Sequence, residues 1–271
     1  MSWLELEGRT AIVTGAGGGI GRACARALGA AGCRVACLDR AEPEAETAAL
    51  RIREAGGTAV MVPCDVANPE SIAAAAEATA AAFGPADVLV NNAGMLRPGP
   101  LADLPLAEWN ALLAVNLTGY FLCAQVFGRQ MRERGEGGSL IHVASIAADH
   151  ATPFSGAYSV AKAGVAMLSR QLAIEWAKDR IRSNAVHPGM IRTPLSQAFY
   201  DEPGATERRA AVIPSGRIGE PQDIADAVLF LASPRSAYVN GDAITVDGGY
   251  VRNVMSLIPR AGYGPAPGPR A

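Results

Sequence analysis

Short apolar runs rich in β-branched residues alternate with longer amphipathic stretches from one end of this chain to the other. The runs at Thr10–Thr14, Arg34–Asp39, Ala59–Pro63, Asp87–Asn91, Ser139–Ser145, Arg182–His187 and Ala243–Val246 read as strands. Strands separated by helical segments call for a parallel sheet covered on both faces. The expectation is therefore an α/β chain: one doubly wound domain over residues 1–251, with seven parallel strands and helices on both faces.

Between the strands, Ser71–Phe83 reads as an alanine-rich helix stopped by Gly84-Pro85, a left-handed cap followed by a residue that cannot continue the helix. The longest uncharged stretch, Trp109–Gly128, contains Asn110, Asn116, Thr118, Gly119 and Gln125, which would be costly in lipid, so it reads as a buried helix rather than a membrane span. Two segments break the alternation. Thr193–Glu220 is polar and carries Pro194, Pro203, Gly204, Pro214 and Gly216, the composition of a lid or binding loop. Residues 252–271 form a Gly/Pro-rich tail; Val254–Tyr263 is apolar enough to dock on a neighbouring subunit, and Gly264–Pro269 should stay extended.

The 271 residues, 49% of them hydrophobic, suffice for one large core. With 24 Lys and Arg against 26 Asp and Glu, the net charge of -2 offers no general field for nucleic acid or an anionic membrane, and a small-molecule partner is expected. Cys24, Cys33, Cys37, Cys64 and Cys123 form no CxxC pair and no disulfide framework, and Glu5 and Glu7 stand where an export signal would be basic and then apolar. Both observations point to a reducing cytoplasm; no metal-ligand cluster is expected.

After the first strand comes Thr14-Gly15-Ala16-Gly17-Gly18-Gly19-Ile20-Gly21 and then a helix. Glycines there let the backbone turn sharply and approach a pyrophosphate resting on the helix N-terminus, as in a Rossmann-type nucleotide site. The spacing is GxxxGxG at Gly15, Gly19 and Gly21 rather than GxGxxG, because Ile20 occupies the last position of the latter. An ordinary strand–helix turn would also use such glycines. What separates the two readings is Asp39, which ends the next strand where a carboxylate can accept hydrogen bonds from both hydroxyls of an adenosine ribose. The same charge would repel a 2′-phosphate, so NAD is expected over NADP. Arg40 works against this, since its guanidinium could reach such a phosphate. Asp65-Val66, after the third strand, could bracket an adenine ring.

Tyr158 and Lys162 lie four residues apart on an expected helix and so share one face. A tyrosine base needs its pKa lowered from about 10 by roughly three units, or about 4 kcal/mol. An ammonium about 5 Å away supplies roughly 3 kcal/mol at an effective dielectric near 20. A Tyr-x-x-x-Lys pair alone would be an unremarked surface pair. Here Ser145 closes the strand before that helix, where its hydroxyl can orient a reacting oxygen. Asn91-Asn92-Ala93-Gly94 ends the fourth strand, and Asn116 sits in the long apolar helix.

Taken together, Thr14–Gly21, Asn91–Gly94, Asn116, Ser145, Tyr158 and Lys162 resemble the short-chain dehydrogenases/reductases, over roughly residues 5 to 250. The resemblance implies Tyr158 as acid/base, Ser145 as oxygen-orienting donor, Lys162 as pKa modifier and ribose ligand, and Asn116 as support for a water-linked proton relay. It implies Asn92, Ala93 and Gly94 at the cofactor. It also implies that Pro188, Gly189, Ile191 and Thr193, in Pro188-Gly189-Met190-Ile191-Arg192-Thr193, meet the nicotinamide carboxamide, and that the chain assembles as a homotetramer. The expected activity is NAD(H)-dependent hydride transfer to or from a secondary alcohol or ketone such as a sugar, polyol or cyclic alcohol. A 3-oxoacyl-[acyl-carrier-protein] reductase shares nearly all these motifs but resembles NADP users. A non-catalytic NAD(H) sensor or scaffold needs neither Tyr158 nor Lys162. Met95, Leu96, Arg97, Ala147, His150, Met190, Leu195 and Phe199 are candidate pocket residues, whereas His142 and His187 read as packing residues.

Overall fold

The computed structural model describes residues 3–258. Its seven strands are β1 (Thr10–Thr14), β2 (Arg34–Asp39), β3 (Thr58–Pro63), β4 (Val88–Asn91), β5 (Gly138–Val143), β6 (Ile181–Pro188) and β7 (Ala243–Val246). They form one sheet in the order β3-β2-β1-β4-β5-β6-β7, every neighbouring pair parallel. The helices are α1 (Gly19–Ala30), α2 (Glu42–Glu54), α3 (Pro69–Phe83), α4 (Leu106–Leu113), α5 (Gly119–Arg134), α6 (Tyr158–Glu175), α7 (Ala205–Ala211) and α8 (Pro221–Ala232).

The period-2 alternation of strand side chains divides the core in two. Val13, Val35, Cys37, Val90, Ile141 and Val186 face one side and pack with Cys24 and Leu28 of α1 and Ile224 and Val228 of α8. Ile12, Ala36, Leu38, Leu89 and Leu140 face the other, against Ile72 of α3 and Cys123, Phe127 and Met131 of α5. The central strands β1, β4 and β5 are covered on both faces, whereas β3 has exposed ends, β7 is partly buried and β6 places Ser183, Asn184 and His187 in the interior. The chain runs outward from β1 to β3, then returns to add β4 on the opposite side of β1. That reversal opens a crevice beyond the carboxyl ends of β1 and β4, where ligands bind in sheets of this kind.

Four details differ from the expectations. β5 ends at Val143, so Ser145 lies past the strand and caps a short helical turn, Ile146–Ala148. Gly84 does have a positive φ of 81°, but its ψ of -172° is extended rather than left-handed helical. The Trp109–Gly128 helix is part of a continuous run from α4 through a π turn, Ala114–Thr118, into α5. That run, Leu106–Arg134, is long and apolar enough to cross a membrane. In the fold its residues Tyr120, Cys123, Ala124, Phe127 and Met131 are buried. The expected loop at 193–220 contains a helical turn, Pro194–Phe199, as well as α7. Of the expected docking segment, Val254, Met255 and Ile258 are exposed, and residues 259–263, like the rest of the tail, lie outside the described residues.

Candidate active site

The crevice is a cavity of about 720 Å³. One end is built by the turn after β1. Gly15 there takes a φ of +66°, and a Cβ on it would come within 2.8 Å of the Ala93 backbone. The turn is braced from β4: Thr14 Oγ1 accepts from the Asn92 and Ala93 amides at 3.0 and 3.1 Å, and Asn92 Nδ2 donates to the Thr14 and Gly15 carbonyls at 3.0 and 3.2 Å. Gly21 does not line the cavity; a Cβ there would strike the Gly15 carbonyl oxygen and approach Asn92 Nδ2 to 2.5 Å. Its role is to let α1 start hard against the turn.

The Asp39 carboxylate is fixed by two backbone amides, Gly17 N–H to Oδ2 at 2.9 Å and Ala41 N–H to Oδ1 at 3.0 Å. It lines the cavity together with Gly15, Gly19, Ile20, Arg40, Asp65 and Val66. Asn92, Ala93, Gly94, Pro188, Gly189, Ile191 and Thr193 line it further along. The Thr193 side chain accepts from the Ser196 amide at 3.3 Å, capping the turn that begins the lid. A dinucleotide fits these donors and acceptors: a backbone turn at a helix N-terminus, a carboxylate at the end of β2 and an open channel between them.

Ser145, Tyr158 and Lys162 line the same cavity. Ser145 Oγ accepts from the Ala147 amide at 3.0 Å, and its hydroxyl is hydrogen-bonded with Tyr158. Tyr158 opens α6, and burial in the cavity wall holds its hydroxyl above the ordinary value of 10, opposed by a hydrogen bond with Ser145. Lys162, one turn on and buried, donates to the Val143 carbonyl at 2.8 Å and the Tyr120 hydroxyl at 3.1 Å. Burial lowers its ammonium from 10.5 to about 7. Two of the Lys162 donors are thus directed at β5 and α5, and its ammonium lies 5.8 Å from the Tyr158 ring centre.

Asn116 lies outside the cavity lining. Its side chain is buried and closed in a reciprocal pair with Met95, accepting from the amide and donating to the carbonyl, each at 2.9 Å. It sits in the π turn, where Gly119 N–H reaches back to the Ala114 carbonyl; such turns recur at functional sites.

Of the candidate pocket residues, Met95, Leu96, Ala147, Met190, Leu195 and Phe199 line the cavity, and Arg97 and His150 do not. Arg97 pairs with Glu108 at 3.2 Å. His142 and His187 are both buried, in polar company. His142 sits between Asn91 at 3.2 Å and Ser183 at 3.1 Å, and burial lowers it to about 3. His187 Nδ1 is 2.9 Å from the Asp149 carboxylate.

Two residues were not singled out from the sequence. Tyr120, almost fully buried, donates its hydroxyl to the Val143 carbonyl at 3.0 Å while accepting from Lys162. Arg209 of α7 also lines the cavity. A tyrosine inside an apolar helix, four residues after Asn116, was the available signal for the first; nothing in the local pattern marks the second.

Residues 15–251 match the family model described as Enoyl-(Acyl carrier protein) reductase. The chain is 41% identical to a D-threitol dehydrogenase of Mycolicibacterium smegmatis, over 91% of this chain and 94% of that one. It is 42% identical to a cis-4-hydroxycyclohexanecarboxylate dehydrogenase of Sinomonas cyclohexanicum, over 89% of this chain and 96% of that one. Among solved structures, a gluconate 5-dehydrogenase from Burkholderia cenocepacia, in complex with NADP and tartrate, superposes with a TM-score of 0.87 at 38% identity, covering 92% and 97% of the two chains. The chain belongs to the short-chain dehydrogenase/reductase family and is a nicotinamide-dependent oxidoreductase acting on CH–OH groups.

Proposed function

We propose that this enzyme oxidises a secondary alcohol of a polyol, sugar or cyclic alcohol with NAD, using Tyr158 as the acid/base, and runs in reverse on the ketone. The observation that carries the reading is the single cavity that joins the glycine turn and Asp39 to Ser145, Tyr158 and Lys162. The bound nicotinamide, when present, accepts or supplies the hydride. All else falls to the chain. The Ser145 hydroxyl, bonded to Tyr158, can turn to the substrate oxygen and hold it beside Tyr158, whose phenolate takes the alcohol proton in oxidation and whose hydroxyl gives it back in reduction. Because burial opposes the phenolate, Tyr158 needs positive charge close by. Lys162 contributes part, and with two donors spent on Val143 and Tyr120 it has one left for a ribose hydroxyl.

Preference for NAD rests on Asp39. Its two oxygens are fixed by backbone amides and retain lone pairs for ribose hydroxyls, and a 2′-phosphate beside them would meet like charge. The NADP held by the Burkholderia cenocepacia relative is the observation on the other side, and Arg40 is the side chain that could serve a phosphate here. Phe121 of α5 and Val160, Met167 and Ile174 of α6 are exposed apolar side chains. They support a homotetramer built across two-fold axes, checked by light scattering at micromolar concentration. A panel of polyols, sugars, sugar acids and cyclic alcohols, followed by NADH and NADPH absorbance, tests the proposal. Turnover of at least one class with NAD favoured at least about tenfold, or about 1.4 kcal/mol, is expected; equal efficiency with NADP overturns the cofactor assignment.

A further inference from the structure

The charges that line the cavity are unevenly spread. The carboxylates are Asp39 and Asp65, just beyond or at the ends of β2 and β3 at the adenosine end, and the cations are Arg40, Lys162 and Arg209. Arg40 adjoins Asp39, and Lys162 is held by Val143 and Tyr120. Arg209 is different. It is half-buried on α7, and its guanidinium lies 5.1 Å from the Phe199 ring centre and 5.3 Å from that of Tyr200. Rings hold a guanidinium by its flat face and leave its N–H donors unused.

Among the described residues no carboxylate or hydrogen-bond acceptor pairs with Arg209, and the residues outside that range contain no Asp or Glu. Its neighbours are all engaged. Arg208 on the same helix pairs with Glu202 at 3.1 Å and donates to the Pro203 carbonyl, and Arg192, over the same Tyr200 ring, donates to Thr206 at 3.1 Å. The lid thus neutralises or spends its other arginines and leaves the one at the cavity uncompensated. Met95, Leu96, Phe154, Met190 and Leu195 line the cavity without side-chain donors, and Thr152, Ser155 and Tyr200 add only neutral hydroxyls, so Arg209 is the cation there not already engaged.

We infer that Arg209 is the receptor for a carboxylate on the substrate, so that the enzyme favours hydroxy acids over the corresponding neutral alcohols. This rests on the reading of the cavity as the alcohol site. The dinucleotide pyrophosphate is the other anion within the same cavity, since Thr193 and Pro194 at the start of the lid lie against Gly19; the test separates the two.

Binding is measured calorimetrically on the enzyme–NADH complex with two matched pairs, xylonate against xylitol and cyclohexanecarboxylate against cyclohexanecarboxamide. Wild-type protein should bind the anion of at least one pair about 30-fold more tightly, the range of a charge-assisted hydrogen-bonded pair. Arg209→Gln should erase that preference by weakening the anion alone, and Arg208→Gln should keep it. No preference in either pair for the wild-type protein overturns the inference, as does an Arg209→Gln variant that keeps the preference. A loss of NADH affinity in Arg209→Gln with the preference retained assigns the residue to the pyrophosphate and overturns it equally. Because the readout is binding, an enzyme that fails to turn over any alcohol, which would defeat the functional proposal, leaves this result readable.

Discussion

Replacing Lys162 with methionine should make the protein more stable while removing its activity. The side chain is buried among Tyr120, Val143 and Tyr158, and burial depresses its pKa from 10.5 to about 7. A depression of that size corresponds to roughly 5 kcal/mol at 1.36 kcal/mol per unit. For a lysine the sign runs against the fold. Between pH 7 and 10.5 the unfolded chain holds a proton that the folded chain has released, so the cost is complete below pH 7 and is relieved as pH rises to 10.5. Methionine of similar volume removes the charge, and Val143 keeps the Tyr120 hydroxyl as its donor. After allowing for two lost hydrogen bonds, a net gain of roughly 2–4 kcal/mol is expected at pH 6.5. Urea unfolding of both proteins at a series of pH values measures it, and the gap should close as pH approaches 10. A variant no more stable than wild type at pH 6.5, or a gap that does not change with pH, would refute the reasoning.

Tyr120→Phe takes one acceptor from the Lys162 ammonium, so turnover should fall about tenfold, with a loss that deepens as pH rises to about 7 and then levels off, and cofactor KM should change little; a pH-independent loss would mark a packing effect. Asp39→Ala should shrink the ratio of kcat/KM for NAD over NADP from at least about tenfold toward unity, read from initial rates. Since burial raises the Tyr158 pKa and oxidation needs its phenolate, the oxidation rate should climb from pH 7 to 9 while reduction, which uses the protonated hydroxyl, changes little, and an oxidation profile that is flat with chemistry rate-limiting contradicts this.

The sheet was legible because its central strands are apolar on both faces, a pattern that burial by two helix layers demands and little else satisfies. Strand starts and ends shifted by a residue or two, most consequentially at Ser145, which lies beyond the strand because its hydroxyl caps the next turn. The glycine turn and the place of Asp39 at the end of β2 were readable because a tight strand–helix turn with a positive φ at Gly15 requires glycine, and the Gly17 and Ala41 amides hold the carboxylate. Packing across elements was not. Nothing within α5 says that the Tyr120 hydroxyl meets Lys162 of α6, and nothing in the polar lid says that Arg208 is neutralised while Arg209 stands at the cavity. Asn116 was identifiable as an oddity in an apolar helix, yet its closed pair with Met95 depends on how the chain folds back after β4.

The central claim is that Tyr158 moves the proton in an alcohol–ketone interconversion. Tyr158→Phe keeps the ring and removes only that proton, so one paired measurement is most direct: turnover of the best alcohol with NAD, and NADH binding by fluorescence, on the same preparation. The account predicts a loss of at least about 10³-fold in kcat with NADH affinity within a few-fold of wild type. Turnover within tenfold of wild type would contradict it.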